Sequence, residues 1–173
     1  MGYMKHKDLP PRLNVLTDHI IGYAIQVHRT LGFGLLEHLY EHAFGHELKL
    51  AGLHVDRPYP IMIDSKGLDL ANQILDLRVE HQIEVGLKAG GLKAGEKVAN
   101  VHLAHMVSDL NAGNFSVGLL INFHVPVLRD GVSQRINTPS LFHSESYSAP
   151  PTHPTHPTHL AHLAHLAHSV SPH

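Results

Sequence analysis

The chain has 173 residues, 43% of them apolar, which suffices for one domain with a buried core and excludes two full-sized ones. Thirteen Lys and Arg against 15 Asp and Glu give a formal charge of −2, so no overall positive field draws the chain to nucleic acid or an anionic membrane, and any such contact must be local. The absence of cysteine excludes disulfides, thiolate metal sites and cysteine nucleophiles. With no apolar run near the roughly 18 residues of a membrane span and no apolar leader behind Lys5 and Lys7, the sequence predicts a soluble, cytoplasmic protein that makes no membrane contact.

In chain order, Leu13, Leu16, Ile20, Ala24, Val27 and Leu31 recur at spacings of three and four and predict an amphipathic helix over 13–31, stopped by Gly32 and Gly34. A second helix over 36–50 presents Leu36, Leu39, Tyr40, Ala43, Phe44 and Leu48, with Gly52 placed to cap its C-terminus. Extended segments follow at 55–63, interrupted by Pro58 and Pro60, then at 73–79 and 82–87 around the short turn Glu80-His81, and together they predict a β-meander. Val98, Val101, His105, Met106 and Leu110 mark a third helix. The apolar run SVGLLINF at 116–123 reads as a strand buried on both faces. Asp130-Gly131, between 125–129 and 132–136, is a two-residue hairpin signal. The element order is α/β with a mixed sheet.

Composition changes at Asn137. Eight of the 19 histidines lie beyond it, and there the only formally charged side chain is Glu145. Three Pro-Thr-His and three Leu-Ala-His triplets make 138–173 a low-complexity tail, so the chain divides into an N-terminal arm (1–12), a domain (13–137) and this repeat segment. The three-residue period of the Pro-Thr-His part lines up on a polyproline II helix, where the imidazoles would form a ridge able to take a transition metal, and the plainer reading is a disordered low-complexity tail with incidental histidine. Leu160, Leu163 and Leu166 cannot make a core but can dock on a second copy, so the tail points to a homo-oligomer, filamentous in the limit.

Inside the domain, His38, His42 and His46 fall at i, i+4, i+8, a zinc-ligand spacing, but opposite the apolar face and without a completing carboxylate, so they read as a solvated face. His102 and His105, close to Val98 and Val101, read as half-buried, hydrogen-bonded side chains. The run GLKAGGLKAG at 86–95 lacks phosphate-loop spacing and reads as a five-residue tandem duplication.

The segment HRTLGFGLLEHLYE at 28–41 resembles the signature of the GxxExxY family at Gly34, Glu37 and Tyr40, and GLLINFHVP at 118–126 is similar to that family's late strand. The resemblance spans 13–136. It implies a PD-(D/E)XK, restriction-endonuclease-like core, a mixed β-sheet flanked by helices, in which acidic side chains of adjacent strands hold Mg²⁺ for phosphodiester hydrolysis. Carried over residue by residue, it places Asp76 at the first strand carboxylate, Glu37 at the helix glutamate and Lys88 at the lysine of the E-x-K motif. The glutamate of that motif is replaced by Gly86, and the family's helix glutamine by His105. Because strand side chains alternate, Glu84 shares a face with Gly86 and Lys88 and is the available substitute metal ligand beside Asp76. Three functions follow. The first is a nuclease-fold protein that has lost catalysis and acts as a binding or self-assembling module, with at most weak contact to nucleic acid. The second is a Mg²⁺-dependent nuclease with Asp76 and Glu84 as ligands, Lys88 at the phosphate, and Glu37 and His105 in support. The third is a metal-binding protein that uses the histidine-rich tail.

Overall fold

The structure, a computed structural model, describes residues 9–65, 68–89 and 100–137. The tail, most of the duplicated Gly-Leu-Lys-Ala-Gly run and Val98 lie outside the described residues. Helix α1 (Pro11–Leu31) starts two residues before its first periodic leucine, because Pro11 stands at the first helical position, where a missing N–H costs nothing. Leu9, in the segment expected to be an arm, is itself buried in the core. Helix α2 (Glu37–Leu50) ends in a double capping bond: the Gly52 N–H donates to the Lys49 carbonyl and the Leu53 N–H to the Leu48 carbonyl. Gly52 has φ +82, and a Cβ there would touch nothing. Gly52→Ala should therefore cost only the left-handed backbone penalty, about 1–2 kcal/mol, read as a lower denaturation midpoint with an unchanged slope.

The strands are β1 (Val55–Asp56), β2 (Tyr59–Ser65), β3 (Leu68–Leu75), β4 (Leu77–Val79), β5 (Ile83–Lys88), β6 (Val117–Asn122) and β7 (Val132–Ile136), with α3 (Asn100–Ala112) between β5 and β6. Five of them form one mixed sheet in the order β1-β4-β5-β6-β7, in which β5 and β6 run parallel and the other neighbours antiparallel. The parallel pair requires a crossover, which α3 occupies. One face of the sheet (Leu77, Val79, Ile83, Val85, Leu87, Val117, Leu119, Ile121) packs on α1 and α2. The other face lies under α3, where Leu120 joins Met106, Leu110, Phe115, Ile61 and Leu75 in a second, smaller cluster. Every residue of β6 is buried, as the unbroken apolar run predicts.

Three expectations are corrected. The segment 73–79 is not one strand, since β3 ends at Leu75 beside β2 and β4 starts at Leu77 in the main sheet. The segment 55–63 is not one strand: Pro58 interrupts the donor ladder, β1 pairs with β4, and β2 turns away to form a separate two-stranded sheet with β3. Nor does Asp130-Gly131 close a hairpin between two strands. Leu128–Gly131 is a turn of 3-10 helix whose Leu128 is buried, and β7 returns along β6 from Val132. Gly131 is needed for a close approach, since a Cβ there would lie 2.4 Å from the Asn122 carbonyl oxygen.

Candidate active site and its missing carboxylate

The motif Gly34, Glu37, Tyr40 works as a positioning device. Gly34 takes φ +102 in the turn before α2, and the Tyr40 hydroxyl pins that turn, donating to the Gly32 carbonyl (2.8 Å) and accepting from the Leu35 N–H (3.2 Å). Its ring is buried and stacks on Phe123 at 4.5 Å. Glu37, in the first turn of α2, is thereby held against the end of β5: Oε2 accepts the Ala89 N–H at 3.1 Å, and Oε1 lies 3.6 Å from Lys88 Nζ.

Asp76 stands between β3 and β4, where Oδ2 accepts the Leu87 N–H at 2.7 Å. The register Leu77↔Val85 continued by one residue sets Gly86 across from Asp76. A carboxylate at 86 would thus sit beside Asp76, and the position holds no side chain. Because the apolar residues of β5 turn to α1 and α2, Glu84, Gly86 and Lys88 face the other way, into a cavity of about 260 Å³. Gln73–Asp76 form one wall, and His102, His105, Met106 and Asp109 of α3 form another.

The structure therefore brings Asp76, Glu84, Lys88 and His105 around one cavity, with Glu37 joined to it through Lys88. His105 is exposed at the rim rather than half-buried, and His102 is the half-buried member of the pair. Asp109 was missed by the sequence reading. It is 7% exposed and faces Glu84, and its spacing from His102 and His105, on one stripe of α3, is the signal that would have found it.

Electrostatically the cavity is an acid cluster. Glu84 is 4% exposed, its Oε2 has no hydrogen-bond partner, and burial first, then the charges of Asp109 and Asp76, push its carboxyl up to about 9. Burial raises Asp76 as well, against the Leu87 N–H and Lys88, which pull it down, and with Glu37 pushing further up. Asp109 is raised by burial, with His105 opposing. At neutral pH Glu84 holds its proton and is a neutral acid.

Mg²⁺ demands near-octahedral oxygen ligands at about 2.0–2.1 Å and is usually held by one or two ionised carboxylates plus water. Here Asp76 is the one carboxylate in place, the residue across from it is glycine, and the buried alternative is protonated. That leaves Asp76 at the low end of the ligand count such an ion uses.

Among the described residues the α2 stripe does not gather a metal site: His38, His42 and His46 are exposed along one helix, and His42 Nδ1 lies 3.2 Å from Arg57 Nη2. No described helix is long and apolar enough to cross a membrane.

A five-stranded mixed sheet with helices on both faces and acidic residues at the β4–β5 strand ends is the architecture of restriction-endonuclease-like proteins. The family model for the PD-(D/E)XK nuclease superfamily matches residues 14–136, and the chain belongs to that superfamily. No curated protein and no solved structure gives a significant match.

Proposed function

We propose that this is a nuclease-fold protein of the GxxExxY type that has lost phosphodiester cleavage and serves as a binding or self-assembling module. One observation carries the reading: the position across from Asp76 is Gly86, and a Cβ there would meet Leu120 Cδ1 at 3.1 Å and Met106 Cε at 3.6 Å. Two apolar side chains border the site of the second carboxylate, Leu120 closely and Met106 at ordinary contact distance. Lys88, the residue that would face a scissile phosphate, instead donates to the Leu87 carbonyl and leans on Glu37. The ligand class this fold is built for is a nucleic-acid strand. Self-assembly through 138–173 is the complementary part of the proposal.

Plasmid and single-stranded DNA incubated with the full chain and Mg²⁺ or Mn²⁺ at pH 7.5 should be cut no faster than without metal. Metal-dependent cleavage that disappears in Asp76→Ala would overturn the reading. It would instead make Glu84 the displaced second ligand, the role that its unpartnered Oε2 favours.

A further inference from the structure

A second cluster of ligand-type side chains lies outside the Asp76 cavity. His54 precedes β1, Asp56 ends it, and His81 sits in the turn that joins β4 to β5. The register Val55↔Val79 and Asp56↔Arg78 brings the two segments side by side. His54 Nδ1 lies 3.7 Å and His81 Nδ1 3.9 Å from the same oxygen, Asp56 Oδ2. One ligand atom from each of the three residues falls within 4.8 Å of the others.

The surrounding backbone holds these side chains in place. The Glu80 carboxylate accepts the His54 N–H at 2.6 Å and the Glu80 N–H donates to the His54 carbonyl at 3.0 Å, a reciprocal clasp between the edge strand and the turn. Glu80 and His81 both take left-handed conformations, φ 50 and 59, which set the His81 ring over that of His54 with centroids 4.2 Å apart. Two rings so close, both with Nδ1 turned to one carboxylate oxygen, repel each other if both are protonated. A shared cation removes that conflict.

We propose that His54, Asp56 and His81 form a binding site for a divalent transition metal of the zinc class. Two imidazoles and one carboxylate are the ligand types such ions take, and three protein ligands leave a further position for water. Ligand atoms about 2.0–2.2 Å from a tetrahedral zinc stand roughly 3.3 Å apart. The observed 3.7 and 3.9 Å to Asp56 need a contraction of about half an ångström, and the two imidazoles, whose ligand atoms lie within 4.8 Å of each other, close by rotation of half-exposed side chains. Asp56 supplies the anionic ligand of the set and already pairs with Arg78. Arg78 is also the competitor: Nε and Nη2 both donate to Oδ2, at 2.8 and 2.6 Å, while the guanidinium lies over the Tyr59 ring at 3.6 Å. The metal must share Asp56 with Arg78 or use Oδ1, which weakens the site. It would tie β1 to the β4–β5 turn, at the end of that hairpin away from Lys88.

The tail histidines offer ligands of the same type, so the test is a difference. Zn²⁺ is titrated calorimetrically into the full chain at pH 7.5, into His54→Gln/His81→Gln, and into His19→Gln, which removes one exposed imidazole elsewhere. Wild type and His19→Gln should bind one equivalent more than the double variant at micromolar zinc. Asp56→Asn, which removes no imidazole, should weaken that equivalent about tenfold or more. Equal stoichiometry and affinity in wild type and the double variant would overturn the proposal. If the double variant fails to fold, as read by circular dichroism, Asp56→Asn decides: an isotherm identical to wild type would overturn the site by itself.

Discussion

Glu84→Gln should stabilise the protein at neutral and alkaline pH, on the order of 3 kcal/mol at pH 7. Glu84 keeps its proton in the folded state up to about pH 9, whereas its ordinary value is 4.5. Between those values the unfolded chain has released a proton that the folded chain retains. Stability therefore falls as pH rises from 4.5 towards 9, by about 1.4 kcal/mol per unit. Below 4.5 both states are protonated and this loss is absent. Glutamine has the shape of the protonated acid and an amide that can donate to Asp76 or Asp109, but it does not titrate. Urea midpoints of variant and wild type should coincide near pH 4 and separate progressively to pH 8. Parallel curves over that range would show that Glu84 is ionised in the folded protein, and the cavity would then be a cation site in waiting.

The parts of the fold that rest on one-dimensional periodicity were legible in the sequence. Helix α1 follows from the spacing of Leu13 to Leu31 and β6 from an apolar run that needs cover on both faces, while α2 follows from Tyr40, Ala43, Phe44 and Leu48 only, since Leu36 and Leu39, expected on the same face, are exposed. What was not legible depends on partners distant in sequence. Strand β3 begins Leu-Asp-Leu-Ala-Asn, poor strand formers that signal nothing alone, and forms because β2 pairs with it. The pair Asp130-Gly131 has the composition of a hairpin turn, yet Gly131 is there to let the chain press against the Asn122 carbonyl.

The site divides the same way. Strand alternation alone put Glu84, Gly86 and Lys88 on one face, and the structure sets all three in the cavity with Asp76. Asp109 escaped notice because a lone acid near the end of an apolar helix reads as a solvated residue. Only the packing of α3 against β6 and β2 buries it beside Glu84. His54, Asp56 and His81 lie 25 residues or more apart at their extremes, and only the pairing of β1 with β4 brings them together. Two left-handed residues in the turn then aim His81, and although the sequence marks Glu80-His81 as a turn, it does not tell which way the His81 ring points.

A glutamate placed at position 86 should create a two-carboxylate Mg²⁺ site with Asp76. In Gly86→Glu the new Cβ meets Leu120 Cδ1 at 3.1 Å, so Leu120 must yield by a few tenths of an ångström, and the rest of the side chain enters the cavity beside Asp76. A fourth acid placed with Asp76, Glu84 and Asp109 raises the cost of ionising any of them, so without metal the variant should melt below wild type. Combining it with Glu84→Gln keeps the number of acids constant and moves one carboxyl two residues along β5, from the depth of the cavity to the position across from Asp76. In that double variant, Mg²⁺ at about one hundred times its Kd should add about 2.7 kcal/mol, several degrees in Tm, while wild type should not respond. Metal-dependent DNA cleavage should accompany the shift and vanish when Asp76→Ala is added. A double variant that folds but melts at one temperature with or without Mg²⁺ would mean that Leu120, Met106 and Lys88 have moved too far from a nuclease arrangement for one carboxylate to recover it. The loss of function would then be spread over the whole cavity and not confined to Gly86.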